Sequence, residues 1–223
     1  MTAGAQAETK IKTAVVTGHH EYDVAGFQSL FRSIPELDFY PQNMEDFVTD
    51  SADARRRYDV LVFYNFHLPA PGTGEEQWSS SMGQALGELG ESEQGIFVLH
   101  HAIVAFPYWR TWAEICGIES RAEITGYTDQ RLRIEPSPSH PITKGLISWE
   151  MVDETYVMDD AGEGSEVLLT TDHPKSMRTI AWARAYKRAR VFCLQSGHDA
   201  QAWTDPQFRT VVARGVQWLA RRL

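Results

Sequence analysis

The spacing of apolar positions changes several times along the chain, and each change marks an element. Ile11–Thr17 is a short apolar run that ends in Gly18-His19-His20, the pattern of a buried strand running into a loop. Val24, Phe27, Phe31 and Ile34 then recur at three- and four-residue spacing, which predicts a helix with one apolar face. Leu37–Tyr40 predicts a second strand, closed by Pro41. Asp59–Asn65 is the clearest buried strand, and Phe66–Gly74 is the loop leaving it. Trp78, Met82, Ala85, Leu86 and Leu89 predict another amphipathic helix, and Gly95–Leu99 a buried strand that runs directly into His100-His101. This alternation implies a mainly parallel α/β sheet with helices on both faces.

The middle of the chain has a different rhythm. Residues 122–135 and 150–170 carry short β-like runs with period-two stretches such as Arg131–Ile134, and no long helix separates them. They predict an antiparallel β extension or an inserted lobe packed on the sheet. Ser137-Pro-Ser-His140-Pro141 is a turn, because its prolines forbid regular pairing. Thr179–Ala183 and Arg190–Leu194 are late strands joined by a basic turn, and the second runs into Gln195-Ser-Gly-His198-Asp199. Asp205-Pro206 opens a final helix, with Asp at the N-cap and Pro in the first turn. Its apolar positions are Phe208, Val211, Val212, Val216 and Leu219. A length of 223 residues suits one large core rather than two, so the expected organisation is a flexible tail over residues 1–10 and a single domain over 11–223.

Composition narrows the partners. A net charge of −9 argues against nucleic acid, whose phosphates need a basic face. The clusters Arg55–Arg57 and Lys187–Arg190 flank strands and read as solvated turns and helix ends. No apolar run is long enough to span a membrane, and the first ten residues lack the basic and apolar regions of a signal peptide. Two cysteines, Cys116 and Cys193, are too few for a disulfide framework and fit a reducing cytoplasmic setting. Cys116 closes a helix and Cys193 sits inside an apolar strand, so both are packing residues.

The candidate chemistry is positional. Of eight histidines, six (His19, His20, His67, His100, His101 and His198) lie at or just beyond the carboxyl end of a predicted strand. In an open parallel sheet those ends share one edge, and ligands bind in the crevice outside it. Asp153-Glu154-Thr-Tyr156, Ser139-His140-Pro141 and Gly197-His198-Asp199 are further polar groups that are candidates to join them. Imidazoles with a carboxylate are common ligands of zinc, manganese or iron. The same groups also serve as general acid and base without a metal. Phe106, Tyr108, Trp109 and Trp112 follow His101, and Trp203 follows His198. These suit the apolar faces of sugar rings, although Trp109 and Trp112 equally fit a helix packed on the sheet. Neither a serine nor a cysteine nucleophile stands on a strand-to-helix turn, and no nucleotide or flavin fingerprint is present, so no such cofactor is expected.

Several segments together resemble the ThuA-like (trehalose utilisation) family. They are Gly18-His19-His20, Tyr58–Val62, Val98-Leu-His100, His140–Leu146, Asp153–Tyr156, Ala181-Trp182 and Gly197-His198-Asp199 with Trp203. The resemblance implies a flavodoxin-like, class I glutamine amidotransferase-like fold without the amidotransferase cysteine. It also implies a link to the catabolism of oxidised (3-keto) disaccharides and, in some members, a divalent metal. Joined to the strand-end histidines by chemical plausibility, this makes His19, His20, His100 and His198 the expected metal ligands. The catalytic groups are His100, Glu154, His198 and Asp199, with Glu154 or a nearby imidazole removing the proton beside a substrate carbonyl. His67, His101, Trp109, Tyr156 and Trp203 are expected to contact substrate. The chain departs from the family pattern at Gly90–Gly95, at Ala189, and at His101, where a small residue is common. The implied activity is metal-assisted lyase, hydrolase or isomerase chemistry on a keto-sugar or its glycoside. The alternative is a non-catalytic sugar-binding or regulatory module. In either case the partner is a small sugar-like molecule, with no nucleic acid or membrane, and a homo-oligomer is compatible with the sequence.

Overall fold

The structure is a computed structural model that describes residues 9–73 and 78–223. Of the expected tail, only Thr9 and Lys10 fall within this range, and Gly74 at the end of the third strand's loop lies outside it. The chain begins with β1 (Ile11–Gly18), α1 (Val24–Arg32), β2 (Leu37–Asn43), α2 (Met44–Thr49), α3 (Ala52–Arg55) and β3 (Val60–Asn65). It continues through α4 (Ser79–Gly87), β4 (Gly95–Leu99) and α5 (Arg110–Cys116). Four strands follow, β5 (Thr125–Pro136), β6 (Trp149–Val157), β7 (Ser165–Thr170) and β8 (Thr179–Tyr186). The chain closes with β9 (Ala189–Leu194), α6 (Ala200–Trp203) and α7 (Pro206–Leu219).

The sheet order is β2-β1-β3-β4-β9-β8-β7-β5-β6. The first five strands are parallel and the rest antiparallel. The parallel part has the doubly wound order in which the crevice opens between β1 and β3. Because side chains alternate along a strand, β3 divides itself between two cores. Val60, Val62 and Tyr64 face a core that includes Phe27, Phe31, Val212 and Val216, while Leu61 and Phe63 face one that includes Phe47, Met82, Leu86 and Trp112. A strand buried on both faces reads as an unbroken apolar run, which is why it was legible.

The antiparallel extension expected from the middle of the chain is present. Its β5–β6 hairpin joins the main sheet through only two residue pairs, Glu135–Thr170 and Pro136–Leu169. So short a seam leaves the hairpin turned toward the carboxyl ends of β4 and β9, where Glu154 and Tyr156 meet His100.

Two local expectations need correction. Pro41 does not close β2 but pairs with Val15 inside it, which an edge strand permits because a missing N–H there faces away from the sheet. Arg55 is buried rather than solvated, its guanidinium 3.1 Å from Glu88. Between β2 and β3 the chain forms the short helices α2 and α3. Among the described residues no helix is long and apolar enough to cross a membrane.

Helix α7 packs its last turn on the start of β4, and Gly95 allows the approach. A Cβ at this position would lie 2.6 Å from Leu219 Cβ and 3.0 Å from the Leu219 carbonyl oxygen. Gly95→Ala is therefore expected to lower stability by about 1–3 kcal/mol, the usual cost of overpacking a core. Urea unfolding measures this, and an unchanged midpoint would contradict so close a contact.

Candidate functional site

The register of β4 against β9 sets the centre of the site. Leu99 pairs with Leu194, so His100 and Gln195 leave the sheet side by side. His100 turns out of the strand in the left-handed region, at φ 54°, where residues with a Cβ are uncommon. Its Nδ1 lies 2.8 Å from the Gln195 carbonyl oxygen. A carbonyl can only accept, so Nδ1 carries the proton and Nε2 of the neutral ring is a lone pair. That Nε2 lies 3.1 Å from Glu154 Oε2, 3.2 Å from His198 Nδ1 and 3.1 Å from the Tyr156 hydroxyl. His198 Nδ1 is itself 3.3 Å from Glu154 Oε2.

Proton counting makes this cluster unusual. The Tyr156 hydroxyl donates to Glu154 Oε2 at 2.8 Å, so its proton is committed. With Nδ1 of His100 bound to Gln195, no proton remains between a neutral His100 and the carboxylate. Lone pairs then face one another, and either a cation or an additional proton must lie among them.

The surrounding shell holds these groups in place. Asp153, fully buried, accepts from the backbone N–H groups of Gly197 at 2.6 Å and His198 at 3.0 Å, and from that of Glu154 at 2.8 Å. The Tyr64 hydroxyl donates to the carbonyls of Gly197 and His198, and the Trp203 indole donates to Gly197. Gln195 donates its side-chain amide to the Glu154 carbonyl. The loop carrying His198 is thus fastened from β3, β6 and α6.

These contacts set the charges. Burial pushes Glu154 upward, but hydrogen bonds from His198 and Tyr156, and from His100 when it carries the additional proton, outweigh it and hold the carboxyl far below its usual range. The bond to Glu154 raises His198 despite partial burial. Burial and the neighbouring carboxylates push the Tyr156 phenol well up, so it remains a proton donor at neutral pH. His100 is fully buried, and His198 and Glu154 form the exposed side of the cluster.

The predicted ligands divide into separate groups. His100 and His198 stand with Glu154, whereas His19 stands with Glu45 and His67. His20 belongs to neither group among the described residues; its ring stacks on His101 at 4.2 Å and lies 5.9 Å from His198. His101 is buried beneath it, with Nε2 3.3 Å from the Tyr64 carbonyl. Tyr156 joins the His100 cluster directly.

Other expected residues are occupied elsewhere. Asp199 caps α6, its carboxylate accepting from Gln201 N–H at 2.8 Å. Trp203 is only 1% exposed, so it supports the His198 loop from behind and presents no face to a sugar. Trp109 packs on Phe106 and Trp112 at the start of α5, and lines an open groove with Arg110 and Arg184. His140 packs on Trp218, near the opposite end of α7 from the His198 loop. Glu45, Asp153, Gln195 and Tyr64 were not anticipated in these roles.

Comparison with known proteins gives a family and a fold. The ThuA family model, described as trehalose utilisation, matches residues 13–219. A ThuA-like protein of Parabacteroides merdae is similar at 18% identity and TM-score 0.73, over 95% of this chain and 90% of its own. One from Bacteroides uniformis is similar at 15% identity and TM-score 0.72, over 98% and 95%. A glutamine amidotransferase of Thermotoga maritima, at 10% identity and TM-score 0.54 over 93% and 98%, shares the fold. No curated protein matches the chain.

Burial lowers His20, His67 and His101, with neighbouring histidines adding to the effect, and brings His67 down to about 4. Below about pH 6.5 the unfolded chain takes up protons that these folded rings refuse, so stability falls with falling pH. For His67 the loss runs from about pH 6.5 to about 4. Urea midpoints of metal-free protein should decline through that window, and less steeply in His67→Gln. Identical slopes for the two proteins would contradict a neutral, buried His67.

Proposed function

We propose that this chain, which belongs to the ThuA (trehalose utilisation) family, is an enzyme of carbohydrate catabolism acting on a keto-sugar or keto-glycoside at the His100–Glu154–His198 centre. Family membership supports a role related to sugar metabolism. The chemistry rests on one observation, the three ligand atoms facing one another with the His100 tautomer fixed by Gln195.

The residues fit a divalent metal. Tetrahedral ligands at about 2.0–2.1 Å from zinc stand about 3.3–3.4 Å apart, and manganese or iron give similar spacing. The separations here are 3.1, 3.2 and 3.3 Å. Two imidazoles and a carboxylate suit these ions, and the Gln195 carbonyl is the outer partner that directs His100 Nε2 toward one. When bound, the ion supplies Lewis acidity that polarises a substrate carbonyl.

The chain's own residues divide the remaining work. A carbonyl acidifies the adjacent C–H, and the group that removes that proton needs a free lone pair at neutral pH. Glu154 is a poor base, because its carboxylate is engaged by three partners and held far below its usual range. His20 fits better. Burial keeps its half-buried ring neutral, repulsion from a proton or cation held at the neighbouring cluster adds to the effect, and it lies beside His198. We therefore assign proton removal to His20 in place of Glu154. The proton it takes returns to carbon in an isomerisation, or to the leaving oxygen in an elimination that breaks the glycosidic C–O bond. Tyr156 keeps its proton and orients Glu154.

The test uses untagged protein prepared without chelator, analysed for metal and incubated with a 3-keto-disaccharide. The parent is expected to carry metal and consume the substrate. His20→Ala should keep the metal and lose at least about a hundredfold in kcat, the usual scale of general-base catalysis. Glu154→Gln should lose turnover together with the metal held at the His100–Glu154–His198 centre. Undiminished turnover by His20→Ala would remove the assigned base. Binding of sugar with no turnover by any preparation would favour the non-catalytic module.

A further inference from the structure

A second cluster of metal-binding side chains lies on the same edge of the sheet but outside the centre described above. Gly18 ends β1, Asn65 ends β3 and Glu45 lies in the first turn of α2, so three elements deliver His19, His67 and Glu45 to one place. His19 Nε2 is 3.6 Å and His67 Nε2 3.7 Å from the same carboxylate oxygen, Glu45 Oε1. The two imidazole rings stack with centroids 3.9 Å apart.

Three features separate this arrangement from an accidental gathering of polar groups. First, His67 is 1% exposed, yet its buried Nε2 has no hydrogen-bond partner and is aimed toward Glu45. An unpaired buried nitrogen is costly, and packing alone gives no reason to keep it. Second, the backbone is shaped around the ring. Gly18 sits at φ 144°, where a Cβ would come 3.0 Å from His67 Cε1, and His19 is held at φ 57°. Third, the buried Asn65 side chain presents its amide nitrogen to His67 Nδ1 at 3.2 Å and leaves its own oxygen unpaired. A half-turn of the amide would bring that oxygen to the ring, where it accepts Nδ1–H and leaves Nε2 a bare lone pair, the tautomer a metal requires.

The distances indicate what fills the gap. At 3.6 and 3.7 Å the imidazoles are too far from the carboxylate for hydrogen bonds. They suit donors arranged around an ion at about 2.2 Å, within the range of imidazole and carboxylate ligands of transition metals. We propose that His19, Glu45 and His67 form a second divalent-cation site, distinct from His100–Glu154–His198, selective for transition ions over calcium or magnesium. The stacked His20–His101 pair lies beside His198, and no ligand is shared between the two groups. Trp78, with its ring 5.7 Å from that of His67, walls one side, while the 47% exposed His19 leaves another open to water or a substrate oxygen. This proposal does not rest on the sugar reading.

Cobalt titration tests it directly. Metal-free, untagged full-length chain is titrated with Co²⁺, following visible absorption and bound metal by equilibrium dialysis. Two equivalents are expected in the parent, one in Glu45→Gln, one in Glu154→Gln and none in the double variant. His67→Gln, with folding checked by circular dichroism, should match Glu45→Gln. Unchanged stoichiometry in both Glu45→Gln and His67→Gln would overturn the second site. A parent that binds one equivalent, lost only in Glu154→Gln, would do the same while leaving the first centre standing. Loss in Glu45→Gln with none in Glu154→Gln would support the second site and count against the first.

Discussion

The hydrogen bond from His100 Nδ1 to the Gln195 carbonyl links the sheet to the chemistry. It exists because β4 and β9 are in parallel register, which releases His100 and Gln195 from the sheet at the same level. It decides which nitrogen of His100 is protonated, and hence that Nε2 meets Glu154, His198 and Tyr156 as a lone pair. Gln195 also binds the Glu154 backbone, so one residue positions both partners. Were β9 displaced by one residue, its side chains would exchange faces, and both the tautomer control and the contact to β6 would be lost.

Burial divides the histidines of this edge by role. His67 and His101 have almost no exposure, so their rings act as walls, and of the two only His67 stands in a potential ligand group. His198 is the exposed imidazole of the central cluster and stays charged more readily because of Glu154. His20, next to it, is pushed the other way. With no ion bound, Glu154 favours the proton on one of two adjacent imidazoles and burial refuses it on the other, and once His198 Nδ1 serves as a ligand His20 is the one that offers a free lone pair. Asp153 makes this possible from beneath, by fixing the backbone of His198 and Glu154 without entering the cluster.

Much of this was legible in the sequence. A parallel sheet places all its carboxyl ends on one edge, so six histidines at strand ends announced a shared site. The β5–β6 hairpin was visible as period-two runs, though not the short seam that turns it onto His100. Glu45 left no signal, because a six-residue helix is too short to show periodicity. Asp199 and Trp203 were misleading for a physical reason. Asp before a helix is an equally good N-cap, and α6 turns Trp203 inward to bind the Gly197 carbonyl. Pro41 was read as a strand end because sequence alone does not reveal that β2 lies on an edge.

The most direct test of the central claim is anomalous diffraction from crystals of the protein soaked in manganese, collected on the manganese absorption edge. The expected result is a peak bound by His100 Nε2, His198 Nδ1 and Glu154 Oε2, with Gln195 still holding His100 Nδ1. A map with no density among those three atoms, or with His100 turned so that Nδ1 faces Glu154, would contradict it.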